Sequence, residues 1–256
     1  HNIDILVIAT PNHTHTPLLM RWGTRKDLAI LLEKPVAVSR EQVATLKSLD
    51  LKAKLWIGME YRYMPPVAAL LRHRGRVGNI HSIVIRELRY PFLEKVDMWN
   101  RDVCKTGDSL VEKCCHFFDL FFLIAGCSDI ISISALGRRG INHTDEKDVS
   151  LIDSAKIIFR LGNGIDCMFE LCMYAEGSRN QEEICLTGDK GRLEAYLPEN
   201  ALYVYSRPKA EDWVDRSIPP KADGEKERID CFESEDGVGV HGGYHYGSTF
   251  VEGQRF

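Results

Sequence analysis

The chain has 256 residues, 44% of them apolar and 27% charged, with a formal net charge of −4. That charge, without any long basic stripe, excludes the electrostatic footprint of a nucleic-acid binder, and no apolar run approaches the ~20 residues that a membrane-spanning helix needs. The eight cysteines form no C-x-x-C pair and sit mostly in apolar runs, which reads as reduced thiols packed as small hydrophobes in a reducing compartment, the cytoplasm.

Ile3 to Ala9 is a short, nearly continuous apolar run, the pattern of a strand buried on both faces of a parallel sheet. Thr16-Pro17 predicts a helix start, with Thr16 as N-cap and Pro17 at the first helical position, and Gly23 ends that helix. Leu28 to Leu32 is a second apolar run, stopped by Glu33-Lys34-Pro35. Ser39-Arg40-Glu41-Gln42 predicts a capping box for a helix reaching Leu49, and Leu55 to Met59 is a third strand. Strand, helix, strand, helix, strand describes an open parallel α/β sheet.

The pattern changes after Met59. Pro65-Pro66 opens a helix to Arg74, and Ile80 to Tyr90 alternates as a strand does. Ser109 to Ala125 predicts one strongly apolar helix closed by Gly126. Six further strands follow: Ile131–Gly137, Ser150–Arg160, Ile165–Tyr174, Glu183–Thr187, Arg192–Leu197 and Leu202–Tyr205. Turn signals at Leu161–Gly164 and Gly188–Gly191 punctuate them. This half reads as a largely antiparallel sheet with a few helices. Pro208 to Asp236 is charged and reads as an exposed excursion. Thr249 to Phe256 starts like a helix and stops, and the first strand begins within two residues of His1, so the sequence reads as a fragment cut at both ends.

Ligands of open α/β sheets gather outside the carboxyl ends of the strands. Lys34 stands at such an end, and is either a surface lysine or an ammonium aimed into the crevice. On a continuous helix Glu112, His116 and Asp119 share one face. Three ionisable groups on an otherwise apolar helix either form a narrow solvated face or line a wet cavity, where His116 can serve as general acid or base. A metal is the rival reading for His13, His15, Glu112 and His116. No standard zinc spacing appears, and Cys114 and Cys115 project about 100° apart on a helix, so no metal is expected. A thiol nucleophile beside His116 is disfavoured too, because sequence neighbours on a helix do not face one another.

Three stretches in order, "VIATPNHTHTPL", "LEKPVAVS" and "LVEKCCHFFDL", together with "GMEYRYMP", resemble the glucose–fructose oxidoreductase/inositol dehydrogenase (Gfo/Idh/MocA) family of NAD(P)-dependent enzymes. The resemblance implies the remainder of a parallel Rossmann sheet over residues 1–62 and, over 63–256, an α+β substrate and oligomerisation domain with a largely antiparallel open sheet and a truncated C-terminal helix. It places Thr10, Pro11, Asn12 and His15 by the cofactor, Glu33 and Lys34 at the nicotinamide, and Arg62 near its amide. It assigns proton transfer to His116, assistance to Lys34, and Asp119 to the substrate pocket or its surroundings. Glu112 stands where relatives often carry aspartate, so its catalytic role differs in reach. "VHGGYHYGSTF" resembles a late loop that returns toward the active site, with His241 or His245 against a substrate hydroxyl; the alternative is a glycine-rich connection with incidental histidines. No G-x-G-x-x-G occurs in the strand–helix–strand pattern of residues 1–62, so the first βαβ unit, which would cradle the pyrophosphate at a helix N-terminus, is expected to lie outside this sequence.

The resulting expectation is an NAD- or NADP-dependent oxidoreductase that moves a hydride to or from a carbon bearing a hydroxyl or carbonyl, on a sugar, cyclitol or related polyol. It binds neither nucleic acid nor membrane, and forms a homo-oligomer through the second sheet. Two alternatives stay open: an NAD-dependent glycoside hydrolase on the same fold, and a non-catalytic interaction module built on the second sheet.

Overall fold

The computed structural model describes residues 3–126, 128–147, 149–208, 226–231 and 247–256. The three early apolar runs become β1 (Ile5–Ile8), β2 (Ala29–Glu33) and β3 (Lys54–Gly58), parallel and hydrogen-bonded in the order β1-β2-β3. Helices α1 (His15–Trp22) and α2 (Arg40–Lys47) connect them. One face of the sheet packs Ile8, Leu28, Ile30 and Leu32 against Leu19 of α1. The expectation of a first strand buried on both faces is not met: Ile5 and Val7 point away from this core and are 59% and 58% exposed.

Local chemistry moves one helix start and keeps another. Helix α1 begins before Thr16, after a 3-10 turn at Asn12–Thr14. The Thr16 hydroxyl does not cap it, because it donates to the Val36 carbonyl at 2.8 Å. Pro17 therefore falls inside the first turn, where a missing N–H costs nothing. Ser39 does cap α2, accepting from the Gln42 amide at 3.2 Å. The Gln42 side chain reaches back to the Val38 N–H, one residue beyond a capping box.

The second sheet has eight strands among the described residues, in the order β11-β10-β9-β8-β4-β7-β6-β5. They are β4 (Ile80–Leu88), β5 (Ile130–Arg138), β6 (Ser154–Leu161), β7 (Asp166–Cys172), β8 (Glu182–Gly188), β9 (Gly191–Leu197), β10 (Ala201–Ser206) and β11 (Lys226–Asp230). All neighbours are antiparallel except β4 and β7. That parallel pair arises because the chain leaves β4, crosses one face as helices, and adds β5 and β6 before returning.

Helix α3 (Pro65–His73) and the later α6 (Cys115–Ala125) cover one face. Phe117, Phe121, Phe159 and Phe169 form the centre of that core, with Phe121 and Phe159 edge to face at 5.0 Å. The inward alternation Ala155, Ile157, Phe159, Leu161 shows why β6 has a period of two. Strand β11 corrects the reading of Pro208–Asp236 as a mere excursion. Within it Lys226–Asp230 pairs with β10, a short polar edge strand whose register is set by its neighbour and not by its own apolar pattern. The last helix, α7 (Ser248–Arg255), returns to the first sheet, where Glu252 accepts from the Met59 amide at 2.8 Å and the Trp56 indole at 3.1 Å.

Candidate active site

The loops at the carboxyl ends of β1, β2 and β3 lie side by side because the strands are parallel. His15 shapes the first of them. Its ring is fully buried, with Nδ1 2.7 Å from the Pro35 carbonyl and Nε2 2.7 Å from the Thr10 carbonyl. It thus ties the loop after β1 to the loop after β2. Thr14 donates to the Pro11 carbonyl at 2.7 Å and meets the Thr10 hydroxyl at 2.5 Å, which tightens the same turn. Glu33, at the end of β2, lies over Gly58 of β3; a Cβ there would stand 3.1 Å from its carboxylate. Burial and the neighbouring charge of Glu60 push the Glu33 carboxyl above its ordinary range.

Lys34 reaches out of this crevice to the second unit. Its ammonium donates to the Glu112 carbonyl at 2.7 Å and lies 3.9 Å from the Glu112 carboxylate. The same buried carboxylate accepts from the Asn12 side-chain amide and, at 3.2 Å, from the Lys95 ammonium. Residues after β1, after β2, and after β4 therefore converge on one glutamate. Gly107 helps place it: with φ +75° it ends α4 (Val103–Thr106), and a Cβ would come within 2.8 Å of the Val38 carbonyl. The chain turns there into α5 (Ser109–Glu112).

The predicted single helix from Ser109 to Ala125 is broken, so Glu112 lies on a different helix from His116 and Asp119, which stay three residues apart on one face of α6. Helix α5 stops at Glu112 and α6 begins at Cys115. The cause is Lys113, whose side chain turns into the protein instead of the solvent. It donates to the Tyr61 hydroxyl and lies 3.5 Å from Glu87 and 4.0 Å from Glu182, both buried. A charge must leave the apolar face to find such partners. Glu112 consequently faces Asn12 and Lys34, Asp119 faces Arg62, and His116 stacks on Tyr61 with ring centroids 4.6 Å apart.

Arg62 and Asp119 engage each other in a two-pronged pair, with Nε donating at 2.6 Å. The pair holds the guanidinium proton more firmly than usual, chiefly through that hydrogen bond. Both residues line a cleft of 320 Å³ with Val36, Trp56, Tyr63 and Glu252. Burial, with Glu33 and Glu60 nearby, raises the Glu252 carboxyl, although its bonds to Trp56 and Met59 pull the other way.

The thiols beside His116 are held as thiols. Burial pushes Cys115 up to about 11 and Cys114 well above its ordinary value. Among the described residues no group of three or more His, Cys, Asp or Glu is placed to hold a metal ion. His241 and His245 lie outside the described residues. Lys95, Tyr61, Glu87, Glu182 and Glu252 escaped the sequence reading. Only Lys113 carried a legible signal, as a charge adjoining two cysteines in an apolar run.

Comparisons with known proteins place this geometry. A family model described as "Oxidoreductase family, NAD-binding Rossmann fold" matches residues 1–61, and one described as "Oxidoreductase family, C-terminal alpha/beta domain" matches residues 73–244. Inositol 2-dehydrogenase of Rhizobium meliloti (strain 1021) is 30% identical over 198 residues, 76% of this chain and 57% of that protein. Glucose-6-phosphate 3-dehydrogenase of Bacillus subtilis (strain 168) is 29% identical over 170 residues, 62% of this chain and 48% of that protein. The chain thus spans about half the length of these curated relatives. Similar solved structures include levoglucosan dehydrogenase in complex with NADH and levoglucosan, with a TM-score of 0.78 at 19% identity, covering 99% of this chain and 70% of that one. An oxidoreductase domain protein from Kribbella flavida has a TM-score of 0.76 at 21% identity, covering 98% and 69%. At these identities the likeness is one of fold.

Proposed function

The chain belongs to the Gfo/Idh/MocA oxidoreductase family, and we propose that its protein is a nicotinamide-dependent oxidoreductase acting at a hydroxyl or carbonyl carbon of a sugar, cyclitol or related polyol. One observation carries this reading. The Lys34 ammonium, at the carboxyl end of the first sheet, meets Glu112 of the second unit at 2.7 Å, immediately before the helix that bears His116. That contact, between residues far apart in sequence, supports a cofactor crevice and a proton-transfer histidine serving one site.

The three loops at this end of the parallel sheet carry Asn12, Lys34, Arg62 and the Glu33 carboxylate, polar groups that suit the nicotinamide end of NAD or NADP. Thr10, Pro11, Asn12, His15, Glu33, Lys34 and Arg62 would hold the cofactor there, with His15 acting from beneath as the brace between loops. When bound, the cofactor supplies hydride chemistry that no side chain can. His116 takes the proton of the substrate hydroxyl, or returns it to a carbonyl. Lys34 polarises that oxygen, and Glu112 holds Lys34 in place through its main-chain carbonyl. Asp119 stands at the edge of the substrate space, oriented by Arg62.

Residues 1–62 form the cofactor domain and 63–256 the substrate domain in this reading. Exposed Ile131, Ile133 and Leu136 of β5 and Ile158 of β6 support pairing of copies through the second sheet. Free thiols on the seven described cysteines support a reducing, cytoplasmic setting. The experiment is reduction of NAD and NADP by a panel of inositols, sugars and sugar phosphates with the full-length protein. Steady NADH or NADPH formation with one of them supports the proposal; release of an aglycone from glycosides without net cofactor reduction replaces it with the hydrolase reading.

A further inference from the structure

Beneath His116 lies a charged cluster that the proposed chemistry does not use. Tyr61, fully buried, presents its ring to the imidazole with centroids 4.6 Å apart and planes 29° from parallel. Its hydroxyl donates to Glu182 at 2.7 Å and accepts from the Lys113 ammonium. Gln181 donates to the same Glu182 oxygen at 2.7 Å. Lys113 also lies 3.5 Å from Glu87, which Arg89 approaches at 3.5 Å from the other side. Four ionisable side chains and a phenol thus sit in a core otherwise made of Phe117, Phe169 and aliphatic residues.

Burying charge is costly, and a hydrophobic cluster of the same volume is often at least as stable. Stability alone therefore does not account for these residues. Their common effect is to fix one phenol. A ring held only by packing can shift within its slot; a donor and an acceptor at its hydroxyl fix where its far end lies and, because the hydrogen bonds of a phenol lie near the ring plane, bias that plane. The face so fixed is the one against His116, and a stacked ring sets the plane of its partner. An acid–base group works only within hydrogen-bond reach of its proton, so the imidazole's plane matters directly to turnover.

We propose that Tyr61 is a positioning residue for His116, locked at its hydroxyl by the buried pair Lys113 and Glu182. This rests on the reading of His116 as the proton-transfer residue. Two variants of the full-length protein separate the parts of the claim. Tyr61→Phe keeps the ring and removes both anchors; Tyr61→Leu removes the ring. The Phe variant is expected to lower kcat by about 2- to 12-fold, the usual worth of a hydrogen bond, with the KM values for cofactor and polyol unchanged. The Leu variant is expected to lower it further. In proton NMR the carbon-bound imidazole protons of His116 are expected upfield in the wild type and in Tyr61→Phe, and to move downfield in Tyr61→Leu as the ring current is lost. Should the Leu variant fail to fold, Glu182→Gln takes its place in the kinetic comparison, with a kcat loss at constant KM expected. Unchanged kcat in folded Tyr61→Phe, or His116 signals unmoved in folded Tyr61→Leu, would overturn the proposal. A wild type that turns over no polyol would defeat the functional reading instead, while the NMR comparison still decides whether Tyr61 sets the imidazole.

Discussion

Glu87 offers a test of the buried cluster that needs no substrate. Its side chain is fully buried, and burial pushes its carboxyl from the ordinary 4.5 up to about 8, outweighing the pull of Lys113, while the charge of Glu182 adds to the rise. Below about pH 4.5 the folded and unfolded chains both hold this proton. Between there and about 8 the folded protein keeps a proton that the unfolded chain has lost, so stability falls as pH rises. The slope is about 1.4 kcal/mol per pH unit, and the whole interval amounts to about 5 kcal/mol at most. Glu87→Gln keeps the shape and cannot ionise. The stability difference, variant minus wild type, should therefore grow steadily from acidic pH toward about 8 and level off above it. Urea unfolding of both proteins at matched pH values reads this directly. A difference that stays flat between about pH 5 and about pH 8 would refute the assignment of a protonated Glu87 to the folded state.

Other expectations follow from single contacts. His116→Ala should reduce turnover by about 10²- to 10⁴-fold with cofactor affinity little changed, as measured by steady-state kinetics and cofactor titration. Glu112→Ala removes the shared partner of Asn12, Lys34 and Lys95; denaturation should show a loss of about 3 kcal/mol, the cost of leaving one side of a buried ion pair uncompensated. Phe117→Ala empties the space between Tyr61 and Phe169, and should cost about 3–5 kcal/mol in the same assay. Glu252→Ala releases α7 from Trp56 and the Met59 amide; Trp56 fluorescence should change, and stability should drop by about 1–3 kcal/mol.

Parallel order and most strand positions were readable because the signals are local. An apolar run ended by Glu33-Lys34-Pro35, and alternation such as Ala155-x-Ile157-x-Phe159, each declare themselves within a few residues. The failures share a different cause. The break between α5 and α6 depends on where Lys113 finds Glu87, Tyr61 and Glu182, partners 26, 52 and 69 positions away by residue number. Thr16 looked like a cap until the Val36 carbonyl claimed its hydroxyl. Strand β11 has no apolar alternation, so only its pairing with β10 reveals it. Lys34 and His116 were visible as residue types at meaningful positions, and the resemblance already placed Asn12 by the cofactor; Lys95 became a site residue, and Asn12 a partner of Glu112, only once folding brought them together.

The central claim is that Lys34 and His116 act on one reacting oxygen. A double-mutant cycle on turnover measures it: Lys34→Ala, His116→Ala, and both together, in the full-length protein with a polyol that it oxidises. Groups serving one proton transfer are strongly non-additive, so the double variant should be about as slow as the slower single one. Losses that simply multiply would place the two groups in separate roles and contradict the shared site.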